Sequence, residues 1–141
     1  MRARTYLWPF VLLGGVSALA LSVEGPPDTV MQKGLRQYQQ HCSMCHQLTG
    51  SGIEHQVPSL VGSAMVAGDT KPLIQFLLRG SKAWHGYQQP KYTMECRPQP
   101  EHVISDEKLA AILTYIRASW GNKATQVAPD VVRGVRAEST K

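Results

Sequence analysis

Apolar residues recur at helical spacing in three stretches of the chain, and the segments between them have no period. In the first stretch Met31, Leu35, Tyr38 and Cys42 lie towards one side, which predicts a helix capped by Asp28 or Thr29 and running to about His41. Gly34, Tyr38 and Cys42 are spaced four apart, so they stack on one face, where a glycine lets another helix come close. The second helix is predicted between a cap at Asp69 or Thr70 and a stop at Gly80, with Pro72 in its first turn. Leu73, Ile74, Phe76, Leu77 and Leu78 make it apolar nearly all round, as expected of a buried element. The third is the best signalled. Ser105 caps it, Asp106 and Glu107 sit at the positive end of its dipole, and Gly121 follows it. Leu109, Ile112, Leu113, Ile116 and Trp120 form its core stripe. A shorter helix is expected from Asp130 to Arg136, begun by Pro129. The segments 47–68 and 81–103 are punctuated by Gly and Pro, and loops this long in a small domain are usually wrapped around something. No internal repeat and no dependable strand pattern is present.

The N-terminus is different in kind. Arg2 and Arg4 precede a nearly unbroken apolar run from Tyr6 to Ala20, and Ala18-Leu19-Ala20 supplies a small-x-small cleavage pattern. That is the layout of a secretory signal peptide over residues 1–20. The alternative is an uncleaved membrane anchor, since residues 6–23 just reach a spanning length. Either way the rest of the chain is expected in an oxidising, periplasmic or otherwise exported setting. Residues 21–28, with Pro26 and Pro27, then read as a linker, 29–122 as one domain, and 123–141 as a C-terminal extension.

Composition agrees with a single domain: 141 residues, 43% hydrophobic and 18% charged. The net charge of +5 is carried by scattered single residues, without the dense basic stripe of a nucleic-acid binder, so no nucleic acid is expected as a partner. Three cysteines are an odd number, which argues against a pure disulfide framework.

The decisive motif is Cys42-Ser43-Met44-Cys45-His46. Cys-x-x-Cys-His is the attachment signature of c-type haem. At a helix end the two cysteines point the same way, each able to add to one porphyrin vinyl group, and the histidine comes up beneath the iron. A thioredoxin-like pair would need a βαβ setting, which is missing. A zinc site could draw on Cys42, Cys45, His46 and one of His41, His55 or Cys96, but it lacks the second close ligand pair of structural zinc. A plain disulfide would leave His46 and the Gly-rich loops unexplained.

From these residues the chain resembles the class I cytochromes c over residues 31 to about 121. Gly34 and Tyr38 are similar to the family's Gly/aromatic pair, and Ile112 and Tyr115 to its partner positions on the last helix. Val57-Pro58-Ser59-Leu60-Val61-Gly62 is similar to the Pro-x-Leu-x-Gly turn. LTYIRASWGN with the trailing VAPDVVRGVRAEST resembles the small cytochromes and cytochrome domains of bacterial periplasmic dehydrogenases. The resemblance implies an all-α fold of three main helices, short ones and long loops around one covalently bound haem c. It implies thioethers from Cys42 and Cys45, His46 as proximal iron ligand, and a hydrogen bond from His46 to the Pro58 carbonyl. It also implies a distal methionine in the loop before the last helix, a position that Met94 fits, although Glu95 follows it where the family often has Pro.

Other residues of that loop carry open alternatives. His85, His102 and Cys96 are fallback ligands, and Trp84, Tyr87, Tyr92 and Arg97 are candidate propionate or pocket contacts, with Trp84 and Tyr92 foremost. The functional expectation is a one-electron carrier between a periplasmic dehydrogenase and an oxidase or other respiratory acceptor, not an enzyme in its own right. Lys33, Lys71, Lys82 and Lys91 could steer an acidic partner. The alternative is a haem enzyme or ligand sensor whose sixth position is open or not methionine. Contact with a membrane is expected only if the N-terminal segment is uncleaved.

Overall fold

A computed structural model describes residues 29–84 and 92–139. The expected leader and linker (residues 1–28), His85, Tyr87 and Lys91 lie outside the described residues. Among the described residues six α-helices follow one another: α1 (Val30–His41), α2 (Ser43–His46), α3 (Ala64–Ala67), α4 (Thr70–Arg79), α5 (Asp106–Ala118) and α6 (Pro129–Ser139), with one 3-10 turn, Ser81–Ala83, after α4. Among the described residues there is no strand, only an isolated bridge between Ile53 and Val57. No helix among them is long and apolar enough to cross a membrane.

The helix starts are local chemistry. Thr29 opens α1 through a reciprocal capping box with Gln32, the Thr29 hydroxyl accepting from the Gln32 N–H and the Gln32 side chain accepting from the Thr29 N–H. Asp69 caps α4 and Ser105 caps α5. Gly80, at φ +75°, ends α4.

α1 crosses α5 at Gly34. A Cβ there would collide with the Ala111 carbonyl oxygen and lie 2.6 Å from Tyr115 Cβ. The close approach expected of Gly34 is therefore real, and it is made against Ala111 and Tyr115, while Ile112 turns into the core. That core joins Tyr38 of α1, Leu73 and Ile74 of α4, Leu109, Ile112, Leu113 and Ile116 of α5, and Val132 and Val135 of α6. The C-terminal segment thus shares the core. Arg136 fastens it, donating to Asp106 Oδ1 at 2.8 Å and to the carbonyls of Gln99 and Ile104, both at 3.1 Å.

Three expectations need correction. The segment 47–68 does contain a helix, the single turn α3, capped by Ser63; one turn is too short to leave a period in the sequence. α6 begins at Pro129 as expected but runs past Arg136 to Ser139. Trp120 does not continue the α5 stripe. The helix stops at Ala118, because Asn122 Nδ2 takes the Ile116 carbonyl at 2.8 Å and the Ala124 N–H takes that of Arg117 at 3.0 Å. Trp120 then adopts φ +54° and folds back onto Tyr38 and Tyr115, with ring centroids 5.3 and 5.5 Å away.

Candidate functional site: a Cys-x-x-Cys-His turn and its surroundings

Cys42 closes α1, its N–H bonded to the Tyr38 carbonyl, and the next turn, α2, carries Cys45 and His46. Both cysteines are free thiols and half-buried. The Cys42 thiol is pushed up to about 12, by burial first and then by the nearby Cys96 and Cys45, so it stays protonated at neutral pH.

His46 is held from the other side. Its Nδ1 lies 3.0 Å from the Pro58 carbonyl oxygen. A carbonyl can only accept, so Nδ1 carries the proton and Nε2 keeps its lone pair. Burial lowers the His46 pKa and the Pro58 hydrogen bond opposes part of that, leaving the neutral ring favoured. The Tyr38 hydroxyl donates to the Gln47 carbonyl, anchoring the residue after His46 to α1. Burial raises the Tyr38 pKa, so the hydroxyl remains a donor.

The turn bearing Pro58 is built by residues to which no role was given from the sequence. Gly52 sits at φ +71°, and a Cβ on it would come within 2.6 Å of the Pro58 oxygen. Its N–H reaches back to the His46 carbonyl at 3.0 Å. Asn122, almost fully buried, accepts from the Gly62 N–H at 2.9 Å and donates to the Leu60 carbonyl at 3.0 Å, as well as to Ile116. One amide therefore pins both sides of the turn to the end of α5. Arg117, also buried, donates to the carbonyls of Val66, Gly68 and Thr125 and ties α3 to the same helix. The sequence signal for Asn122 is its place after Trp120-Gly121; for Arg117 it is the one charge on α5 beyond the opening Asp106-Glu107-Lys108.

The loop between α4 and α5 is arranged differently. Trp84 packs edge-on against Phe76, with ring centroids 6.5 Å apart. Tyr92 lines a cleft of about 340 Å³ with Ser51, Ile53, Glu54 and His55. Met94 bonds through its main-chain N–H to the Gln56 carbonyl at 3.0 Å, and the residue is 45% exposed. Cys96 is half-buried, and Ser81 brackets it: Ser81 N–H donates to the Cys96 carbonyl at 2.9 Å, and Cys96 N–H donates to Ser81 Oγ at 3.0 Å. Burial and nearby Cys45 raise its thiol pKa. His102 is exposed.

Two thiols on adjacent turns and one imidazole with an oriented Nε2 fit a covalently attached haem, because the porphyrin would bring its own nitrogen ligands and need from the protein two covalent anchors and an imidazole. Among the described residues no group of three His, Cys, Asp or Glu side chains that could hold a metal ion is found.

Comparison with known proteins agrees. The cytochrome c family model matches residues 31–120. The chain belongs to the cytochrome c family, and its all-helical architecture is that of class I. More narrowly, it is similar to the cytochrome subunit of fructose dehydrogenase from Gluconobacter japonicus, 33% identical over 110 residues, or 74% of this chain and 22% of that subunit. It is also similar to the cytochrome c subunit of gluconate 2-dehydrogenase from Pantoea cypripedii, 32% identical over 104 residues, 71% of this chain and 23% of that subunit. The cytochrome c subunit of the quinone-type alcohol dehydrogenase of Gluconacetobacter polyoxogenes is 28% identical over 109 residues, 75% of this chain and 23% of the relative. The chain spans less than a quarter of the length of these relatives.

Proposed function

We propose that this chain is an exported c-type cytochrome holding one haem, and that it carries single electrons between a dehydrogenase and a respiratory acceptor. Cys42 and Cys45 form the thioethers, His46 is the proximal ligand, and Met94 is the distal ligand. The observation that carries this reading is the 3.0 Å hydrogen bond between His46 Nδ1 and the Pro58 carbonyl, one residue from the Cys-x-x-Cys pair. It leaves the imidazole neutral, oriented and more basic at Nε2. When bound, the haem supplies a one-electron iron couple. The protein's part is to hold His46 by Pro58 and Asn122 and to cover the site with the loop between α4 and α5. The names of the relatives support a dehydrogenase as donor. The apolar leader at residues 1–20 supports export to the periplasm, with the anchor as the alternative.

A second reading is favoured by one observation. Cys96 is more buried than Met94 and lies within electrostatic reach of Cys42 and Cys45, so the sixth ligand could be other than methionine. The protein would then resemble a haem enzyme or sensor.

The test is expression with a haem-attachment system. The mass of the purified chain should rise by one covalent haem, and the alkaline pyridine spectrum should be that of two thioethers. Each single Cys→Ala change at Cys42 or Cys45 should shift that spectrum towards a one-thioether form. A chain that is exported intact and carries no haem would refute the reading. Carbon monoxide binding by the reduced protein would select the second reading.

A further inference from the structure

Gln47, the residue after His46, stands in a backbone conformation that side chains avoid. Its φ of +62° and ψ of 162° fall in a region that is essentially glycine's alone. The Gln47 side chain is exposed, so its burial does not offset the strain. Such a conformation persists only where the surroundings hold it.

Main-chain bonds hold the near side. The His46 N–H donates to the Cys42 carbonyl at 2.9 Å, and the His46 carbonyl accepts from the Gly52 N–H at 3.0 Å. On the far side the Gln47 carbonyl accepts twice, from the Gly50 N–H at 3.2 Å and from the Tyr38 hydroxyl. Gly50 belongs to the same loop and moves with it. Tyr38 is an outside anchor: it stands on α1, fully buried, with the Tyr115 and Trp120 rings at centroid distances of 5.4 and 5.3 Å. Trp120 braces the loop as well, since a Cβ on Gly50 would lie 2.6 Å from its ring. The hydroxyl is thus a firmly mounted donor set on the strained residue.

The consequence reaches the imidazole. With the His46 carbonyl tied to Gly52 and the Gln47 carbonyl tied to Tyr38, the strain between them has no outlet. Freeing the Gln47 carbonyl lets the peptide between His46 and Gln47 rotate, and the His46 ring then turns against the Pro58 carbonyl that orients it. That hydrogen bond is what makes Nε2 more basic. A less basic Nε2 stabilises ferric iron less.

We propose that Tyr38 is a positioning residue for His46: its hydroxyl holds the strained Gln47 in place, and through it sets the His46–Pro58 hydrogen bond and the balance between the iron's two oxidation states. The proposal rests on the reading of His46 as the proximal ligand of one haem.

The test compares the holoproteins of the wild type, Tyr38→Phe, Gln47→Gly, the double variant, and Tyr115→Phe, which removes a hydroxyl from the same ring cluster. Two quantities are read: the NMR resonance of the His46 Nδ1 proton in the reduced protein, which reports its hydrogen bond, and the redox equilibrium of the haem with a mediator of known potential. Tyr38→Phe should move the proton resonance upfield and shift the equilibrium about threefold towards the reduced form, less than the loss of a direct partner of a ligating histidine would do. Gln47→Gly removes the strain, so in its presence Tyr38→Phe should lose most of its effect on both readings. Tyr115→Phe should leave both near the wild-type values. If Tyr38→Phe lowers only the unfolding midpoint and leaves both readings unchanged, the proposal is overturned and the hydroxyl is a structural bond alone. Equal effects of Tyr38→Phe with and without Gln47→Gly would overturn it too, because strain would then play no part. Each protein is first checked for its covalent haem; a wild-type chain without haem refutes the carrier reading, and this proposal with it, before either quantity is read.

Discussion

The segment that carries His46 and the segment that carries Met94 are built in opposite ways. His46 is fixed from its ring, through Pro58, and from its backbone, through Gly52 and the Gln47 anchor to Tyr38. Its supporting turn is in turn pinned by Asn122. Met94 is tied through its main chain to Gln56, and its side chain is half in solvent. The difference is one of chain distance. Twelve residues separate His46 from Pro58, so a tight Gly-rich turn can fix one against the other. The Met94 loop closes over some twenty-five residues between α4 and α5, and Met94 itself is tied there through its main chain. Under the proposed ligand assignment, a Met94 held by its main chain alone could be exchanged without unfolding the domain.

Four substitutions probe that contrast. The largest effect is expected at Asn122. Asn122→Ala removes three hydrogen bonds and strands the Gly62 N–H and the Leu60 and Ile116 carbonyls, so it should cost about 2–4 kcal/mol in denaturant unfolding. Gly34→Ala comes next. It drives a methyl into the Ala111 backbone and should cost about 1–3 kcal/mol, whereas Gly134→Ala on α6, with nothing within 4 Å of the added carbon, should stabilise by about 0.5–1 kcal/mol. On the distal side, Ser81→Ala removes the hydroxyl that receives the Cys96 N–H and should cost about 1 kcal/mol, less than Asn122→Ala. If Ser81→Ala proved the more damaging of the two, the contrast between the sides would be inverted.

The smallest effect is a pH dependence at the start of α5. Glu107 is held below its ordinary value, first by its own backbone N–H, then by the Ser105 hydroxyl, with Arg133 adding to the effect. A depressed carboxylate stabilises the fold above its unfolded pKa and loses that contribution as pH falls through the folded one. Between pH 6 and about pH 3 the melting temperature of the native protein should therefore fall slightly further than that of Glu107→Gln. A steeper fall in the variant would reverse the sign.

Local rules made much of this legible in the sequence. Thr29, Asp69 and Ser105 as caps, Gly80 as a stop and Gly34 as a close crossing all depend on neighbours within a turn or on the absence of a side chain. The pairing of His46 with Pro58 was readable from a resemblance in motif and spacing. Asn122 was not, because its partners Leu60 and Gly62 are some sixty residues away and an amide after a glycine reads as a surface turn. Arg117 was missed for the same reason: a charged residue is expected outside, and its burial depends on carbonyls supplied by α3 and the segment after α5. Trp120 was misplaced because helical spacing continues past the residue at which Asn122 ends the helix. That Arg97 shares a cleft with Arg79 and Lys82 is not legible in the sequence, since the two segments meet only when Ser81 and Cys96 pair.

The account stands or falls on what completes the iron's coordination opposite His46. The direct measurement is the weak far-red absorption of a methionine sulfur bound to ferric haem, recorded for the native protein and for Met94→Ala. The account predicts that the native protein shows this band, that Met94→Ala loses it while keeping its covalent haem, and that only the variant binds carbon monoxide when reduced. A native protein without the band, or a Met94→Ala protein that retains it, would contradict the assignment of Met94 and turn attention to Cys96.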